Sequence, residues 1–128
     1  MIVDSSALVA ILFEEPGSER LRVQLTLPGP IGIPAPTLVE TGIVVSSRLK
    51  RDARGLLARA LQELDVEVIP FTEAHFGVAI DAWLRFGRGR HKASLNFGDC
   101  ISYAVAKLAR RPLLCIGNDF AKTDLELA

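Results

Sequence analysis

The sequence predicts an α/β fold in which one central parallel sheet carries helices on both faces. Short apolar runs alternate with longer segments of helical spacing, the order that a parallel sheet with crossover helices requires. The short runs show no long alternation of polar and apolar residues, which suits strands buried on both faces. The chain has 128 residues, of which 49% are hydrophobic and 23% charged. This length and composition predict a single domain over residues 1–128.

Four apolar runs, each bounded by residues that interrupt regular structure, predict strands. They cover residues 1–3, 32–35, 66–70 and 113–116. A turn at Pro28, Gly29 and Pro30 precedes the second run, and Pro112 and Gly117 enclose the last. We therefore expect a sheet of four to five strands.

Five segments with apolar residues at every third or fourth position predict helices. Their apolar stripes begin at Ala7, Leu38, Leu56, Phe76 and Ile101. In the fourth stripe, Trp83 falls in line with Phe76 and Ile80, so the spacing assigns it to the core.

Charge and composition exclude several classes of protein. Lys and Arg together number 15, as do Asp and Glu, so a nucleic-acid partner would need a local basic patch. No run approaches the ~20 apolar residues of a membrane span, and the first residues, MIVDSSALVA, lack the basic leader of a signal peptide. Cys100 and Cys115 lie in apolar runs and are expected to be buried free thiols, which suits a reducing cytoplasm.

Four acidic residues stand where the predicted strands end or the following helices begin. They are Asp4, Glu40, Asp99 and Asp119. In a parallel α/β sheet this edge collects ligands. Carboxylates crowded there repel one another unless some are protonated or a cation lies among them. Oxygen ligands without His or Cys favour a hard ion such as Mg²⁺ or Mn²⁺.

The same acids also have purely structural interpretations. Glu40 and Asp99 each follow a capping residue, Thr37 and Asn96, at the spacing of a capping box, with Glu40 in the first turn of its helix. Asp4 could cap the first helix, and the last acid could stabilise a turn. Spacing alone leaves both interpretations open.

Four stretches of sequence together resemble a known family. They are IVDSSALVAIL, APTLVETGIVV, GRGRHKASLNFGDCISYAVAKLA and PLLCIGNDFAKTDL. In this order and spacing they resemble the PIN-domain ribonucleases, and specifically the VapC-type toxins of toxin–antitoxin pairs. The resemblance implies a PIN-like three-layer α/β/α sandwich around a parallel sheet.

The resemblance also implies a metal site, and one departure from the family is visible. It places Asp4, Glu40, Asp99 and Asp119 around one or two Mg²⁺ or Mn²⁺ ions. Ser6 and Asn96 are expected to support these acids without binding the metal directly. Many relatives have two acids in the last stretch, where this chain has Asn118 followed by Asp119.

The activity implied is that of an endoribonuclease toxin, in which metal-activated water hydrolyses an RNA phosphodiester bond. The RNA would contact the basic residues around the GRGRHK loop, namely Arg85, Arg88, Arg90 and Lys92. The family further implies a cognate VapB-like antitoxin and a homodimer. Apolar residues that could serve these partners, or equally the core, are Leu8, Leu12, Leu21, Val23 and Leu25 for the antitoxin and Val44 and Val45 for the dimer.

Two other functions compete with the nuclease interpretation. One is a regulatory module that binds Mg²⁺ and accepts a phosphoryl group, for which Lys122 would be the late lysine. The other is a catalytically inactive PIN-like domain that acts by binding. The retained set of four acids argues against an inactive domain.

Overall fold

The computed structural model describes all 128 residues and shows a four-stranded parallel sheet. Its strands are β1 (Ile2–Val3), β2 (Ile31–Pro34), β3 (Val66–Ile69) and β4 (Leu113–Leu114). They lie in the order β3-β2-β1-β4, so β1 and β2 occupy the centre. The four predicted strands are all present. β1 begins one residue later than its apolar run, β2 begins and ends one residue earlier, and β3 and β4 end one and two residues earlier. The predicted α/β class is confirmed.

Six helices connect and flank the strands. They are α1 (Ser5–Leu12), α2 (Ser18–Leu25), α3 (Ala35–Leu49), α4 (Arg54–Glu63), α5 (Glu73–Phe86) and α6 (Phe97–Ala109), followed by a 3₁₀ turn at Phe120–Lys122. None of these helices has the length and apolar character needed to cross a bilayer.

Two hydrophobic clusters on opposite faces of the sheet make the fold three-layered. Successive strand residues point to opposite faces, and in β1 Val3 belongs to one cluster while Ile2 belongs to the other. The first cluster takes buried residues from α1 to α4, among them Leu8 and Leu57. The second takes residues from α5 and α6, including Tyr103. Cys100 and Cys115 are buried free thiols, as predicted.

The apolar stripe predicted for α5 faces solvent rather than the core. Phe76, Ile80 and Trp83 are 61%, 45% and 42% exposed, so the assignment of Trp83 to the core is wrong. The helix instead buries Ala82 and Phe86 in the cluster shared with α6. Periodicity identifies an apolar face but not the element that covers it, and the small Ala82 leaves room for close packing.

Most apolar residues considered for partner surfaces lie in the core. Leu8, Leu21 and Val45 are at most 2% exposed, and Leu25 is 9% exposed. Leu12 and Val44 pack partly buried against the same cluster. Val23 alone of that set is largely exposed. For the buried members, the open choice between core and partner surface is therefore decided in favour of the core.

Candidate active site

Asp4 follows β1 at the centre of the sheet and is 4% exposed. It caps α1, because its Oδ2 accepts the Ser6 amide at 3.0 Å and the Ser6 hydroxyl at 2.6 Å. The Ser6 hydroxyl in turn accepts the amide of Ile116, beyond β4, at 3.2 Å. Asp4 thus has the capping role that the sequence allowed, and Ser6 ties its carboxylate to the neighbouring strand end.

The other oxygen of Asp4 receives a hydrogen bond from α6. The Ser102 hydroxyl donates to Asp4 Oδ1 at 2.7 Å, and a second hydroxyl, that of Thr37 in α3, lies 3.3 Å from the Ser102 oxygen. Ser102 and Thr37 are 0% and 1% exposed. These buried hydroxyls therefore link the two helices to the Asp4 carboxylate.

Glu40 lies in the second turn of α3, not in its first turn. The helix begins at Ala35 after the N-cap residue Pro34, so Thr37 and Glu40 do not form the capping box that their spacing suggests. Partial burial and the negative charge of Asp4 raise the pKa of Glu40, although a hydrogen bond with Ser5 acts in the opposite direction.

Asp99 occupies the first turn of α6 and forms the predicted capping box with Asn96. Asp99 Oδ2 accepts the Asn96 amide and Asn96 Oδ1 accepts the Asp99 amide, both at 2.9 Å. Burial raises the pKa of Asp99 to about 6, against the lowering effect of the Asn96 amide, and the charges of Asp4, Asp119 and Glu40 add to the rise. Asp99 therefore caps α6 and also interacts with the other three acids.

Asp119 lies on the exposed side of the site, before the 3₁₀ turn. Its side chain makes no capping hydrogen bond, contrary to the simple turn interpretation, and instead its Oδ1 lies 3.5 Å from Lys122 Nζ. Lys122 also donates to the carbonyl of Lys92 at 3.3 Å, which links Asp119 to the basic loop. Asn118 is exposed beside it.

The four acids interact electrostatically, but their side chains are not close enough together to form a complete metal site. Asp99 feels the charges of the other three, and Asp4, Asp99 and Asp119 all help raise the pKa of the buried Cys115 thiol, after burial itself. Even so, no three Asp, Glu, His or Cys side chains of the chain are gathered closely enough to hold a metal ion.

The chemistry of the site fits a hard divalent cation. Its donors are carboxylate and hydroxyl oxygens, and no histidine lies among them. Burial raises the pKa values of Glu40 and Asp99, and repulsion by the charges of neighbouring acids adds to both shifts. A divalent cation would relieve this repulsion and draw the carboxylates together.

The basic residues beside the site differ in how they are held. Arg85 is ion-paired with Asp124 at 3.3 Å, and Arg90 lies 4.8 Å from the centre of the Trp83 ring while donating to a backbone carbonyl of α5. Arg88 and Lys92 are exposed, and neither side chain makes a hydrogen bond or ion pair within the chain. The loop is irregular, as predicted, and is anchored by the pairing of Gly87 with Leu95.

An apolar groove leads to Glu40. Its lining includes Val39 and Ile43 of α3 and Phe97 and Gly98 of α6. Val39, Ile43 and Phe97 are 62%, 66% and 82% exposed. Phe97 therefore lines the groove and does not belong to the core. Phe120, in contrast, is buried.

Sequence patterns did not indicate the contact of Ser102 with Asp4, the contact of Thr37 with Ser102, or the contact of Lys122 with Asp119. A signal was available for the first two. Ser102 follows Asp99 by three residues and Thr37 precedes Glu40 by three, so each shares a helix face with an acid. The partner of Lys122 depends on how the last segment folds back, which no local pattern specifies.

Comparison with known proteins identifies relatives over nearly the whole chain. The family model described as "PIN domain" matches residues 1–126. Ribonuclease VapC36 of Mycobacterium tuberculosis is 43% identical over 127 residues, covering 98% of this chain and 91% of that protein. Ribonuclease VapC of Mycolicibacterium smegmatis is 38% identical over 125 residues, covering 98% and 97%.

Solved structures show the same fold at lower sequence identity. A toxin–antitoxin complex from Klebsiella pneumoniae superposes with a TM-score of 0.71 at 19% identity, over 99% of this chain and 95% of that one. Mycobacterium tuberculosis VapC20, described as a sarcin–ricin loop cleaving toxin, gives 0.71 at 22% identity, over 99% and 97%. Both likenesses support the three-layer α/β/α architecture.

Proposed function

The chain belongs to the PIN-domain family, among the VapC-type ribonucleases, and we propose that it is a divalent-metal-dependent endoribonuclease toxin. The observation that carries the metal dependence is the set of acids at the carboxyl end of the sheet. Burial raises the pKa of Asp99 to about 6, and repulsion by the charges of the other three acids adds to the rise. Such a site gains most from an ion that neutralises its charge.

Each acid has a role in this proposal that follows from its position. Asp4, Glu40 and Asp99 would hold Mg²⁺ or Mn²⁺, and Asp119, more exposed, would help place a second ion or orient the attacking water. Ser6 fixes one oxygen of Asp4, and Asn96 fixes Asp99 through the capping box. When bound, the cation lowers the pKa of a coordinated water and neutralises charge on the phosphate.

The reaction proposed is in-line attack of water on phosphorus, which would leave a 5′-phosphate and a 3′-hydroxyl. The chain contains only His75 and His91. His75 accepts the Thr72 amide in a helix cap and His91 accepts the Ala93 amide in the basic loop. Neither histidine is placed among the acids, so the carboxylates are the groups available to orient the water.

RNA would be held by local positive charge, because the net charge of the chain is zero. Arg88 and Lys92 are free to contact phosphates, and the Lys122 contact places the backbone of Lys92 near Asp119. Arg85 and Arg90 would contribute through their charge from the positions in which α5 holds them.

We further propose a cognate antitoxin, homodimer formation and a cytoplasmic location. The apolar groove beside Glu40, with Val39, Ile43 and Phe97 exposed, is a surface suited to an apolar segment of an antitoxin. An antitoxin there would approach Glu40 directly. The family neighbour from Klebsiella pneumoniae, a toxin–antitoxin complex, supports such a partner.

Cleavage of RNA by the purified chain tests the proposal. We expect cleavage with Mg²⁺, loss of cleavage on chelation by EDTA, and recovery when Mn²⁺ is added in excess. Asp99→Asn should abolish cleavage, because it removes ligand charge at nearly constant volume. Asp65→Asn, a matched change at an exposed position after α4, should cleave like the wild type. Cleavage that survives chelation, or wild-type activity of Asp99→Asn, would contradict the proposal.

A further inference from the structure

We propose that Ser102 is a positioning residue of the metal site, whose hydroxyl holds the Asp4 carboxylate in the orientation that binds the cation. The inference rests on the proposed function, since it assigns a role within that same site. It concerns a side chain outside the four acids and outside the Ser6 and Asn96 positions that the resemblance implies.

The two oxygens of the Asp4 carboxylate are held by different numbers of hydrogen bonds. Oδ2 accepts both the amide and the hydroxyl of Ser6, at 3.0 and 2.6 Å, whereas Oδ1 accepts only the Ser102 hydroxyl, at 2.7 Å. An ionised carboxylate offers about four acceptor positions. Three are occupied, and the remaining one lies on Oδ1. Ser102 therefore shares the oxygen that is left to bind an ion.

The hydroxyl of Ser102 points in a defined direction. Because Asp4 accepts, Ser102 donates, and the Ser102 oxygen is then free to accept from the Thr37 hydroxyl 3.3 Å away. Both hydroxyls are fully or almost fully buried, with 0% and 1% exposure, so no water competes for these bonds. A buried chain of hydroxyls with one consistent direction fixes its acceptor more firmly than a solvated contact does.

This chain of hydroxyls connects the elements that carry the acids. It joins α3, α6 and the end of β1, the three elements that carry Glu40, Asp99 and Asp4. Ser102 lies one turn after Asp99 and Thr37 one turn before Glu40. The link therefore sets the distance between the helices that bring the other two ligands toward Asp4, as outer partners of metal ligands do.

The test is a titration of the full chain with Mn²⁺ alone, without RNA, followed by calorimetry and by the electron paramagnetic resonance of free Mn²⁺. Ser102→Ala removes the donor and is tolerated in a helix, because alanine has the higher helix propensity. Thr37→Val removes only the donor to Ser102. The matched control is Thr41→Val, which removes a hydroxyl that is 0% exposed and bonds the Thr37 carbonyl at 2.8 Å, away from Asp4.

We expect Ser102→Ala to bind Mn²⁺ roughly tenfold more weakly than the wild type. Thr37→Val should show a smaller loss and Thr41→Val none. Thermal unfolding in EDTA should show Ser102→Ala no less stable than Thr41→Val, which separates loss of positioning from loss of fold. Wild-type Mn²⁺ affinity in Ser102→Ala would overturn this inference and leave the proposed function standing. Failure of the wild type to bind Mn²⁺ would overturn both.

Discussion

The carboxylate of Glu40 lies directly against the α-carbon of Gly98. A β-carbon built on Gly98 would fall 2.5 Å from Glu40 Oε2 and 3.2 Å from its carboxyl carbon. The absence of a side chain at position 98 therefore lets the acid of α3 reach the first turn of α6, immediately beside Asp99. Two acids that are 59 residues apart in the sequence become neighbours through one glycine.

Gly98→Ala should impair the site without harming the fold. The added methyl group would displace the Glu40 carboxylate, whereas alanine in a helix is favoured over glycine by about 1 kcal/mol. We expect weaker Mn²⁺ binding and slower RNA cleavage, with a melting temperature equal to or above that of the wild type. Calorimetric titration, a cleavage assay and thermal unfolding measure the three quantities.

Gly77→Ala is the matched control for that substitution. Gly77 lies within α5, and a β-carbon there would meet no atom within 4 Å. The control should gain similar helix stability and keep full activity. Equal activity in the two variants would show that Glu40 accommodates the methyl group. The close contact between Glu40 and Gly98 would then not be needed for activity.

The raised pKa of Asp99 makes the stability of the ion-free protein depend on pH. Its ordinary value of 3.8 becomes about 6 in the folded chain, so the folded state binds the proton more tightly than the unfolded state. Stability contributed by this residue is therefore lost as pH rises from about 4 to about 6 and stays constant above that range. Asp99→Asn, which does not titrate, should gain stability relative to the wild type across this window.

Urea unfolding of both proteins in EDTA at several pH values measures this difference. We expect it to grow from pH 4 to 6 and then level off. Saturating Mn²⁺ at neutral pH should reverse its sign, because the ion stabilises the wild type and not the variant. A difference that is constant with pH would show that folding does not raise the pKa of Asp99.

The sequence predicted the architecture because its signals are local. The buried strand β4 reads as an apolar run between Pro112 and Gly117, and the capping box of Asn96 and Asp99 depends on a spacing of three residues. Both could be recognised without tertiary information. The same locality explains the errors, since Thr37 and Glu40 have that spacing but lie inside a helix that begins at Ala35.

Features that depend on which surfaces meet could not be predicted. The stripe of Phe76, Ile80 and Trp83 is regular, yet α5 packs through Ala82 and Phe86. The partners of Asp4 across 98 residues of chain, and of Lys122 across 30, are likewise set by packing. The four acids could therefore be named as candidates from the sequence, whereas the contact of Ser102 with Asp4 could not.

The basic loop should contribute unequally to RNA binding. Arg88 and Lys92 are exposed and unpaired within the chain, while Arg90 is stacked on Trp83 and bonded to the Leu84 carbonyl. We expect Arg88→Ala and Lys92→Ala each to weaken RNA binding and to reduce the slope of log affinity against log salt by somewhat less than ~1. Arg90→Ala should change the slope less.

Fluorescence anisotropy over a range of salt concentrations measures the RNA affinity and salt slope of each variant. The measurement is made in EDTA so that no RNA is cleaved. Arg59→Ala is the control, because Arg59 is exposed on α4 and already paired with Glu63 at 2.8 Å. If all four variants had the same slope, the loop would be an ordinary solvated surface.

Tyr103, in α6, should stabilise the packing of the segment around Asp124 against this helix. Its side chain is 2% exposed and its hydroxyl donates to Asp124 Oδ1 at 2.6 Å, while Lys107 donates to Oδ2 at 2.9 Å. Burial opposes ionisation of Asp124, but these hydrogen bonds outweigh it and lower the pKa of Asp124 to about 2. The ionised carboxylate therefore favours the folded state above pH 3.8, and this stability is lost as pH falls toward 2.

Tyr103→Phe keeps the ring, which lies 5.9 Å from that of Phe86, and removes only the hydroxyl. We expect the free energy of unfolding at pH 7 to fall by about 1–2 kcal/mol, as for a buried hydrogen bond to a charged group. Lys107→Gln should cost less, because its ion pair is partly exposed. Urea denaturation at pH 7 and again near pH 2 measures both variants, and the loss in Tyr103→Phe should shrink at the lower pH. A loss that is equal at both values would assign the effect to packing and not to the bond with Asp124.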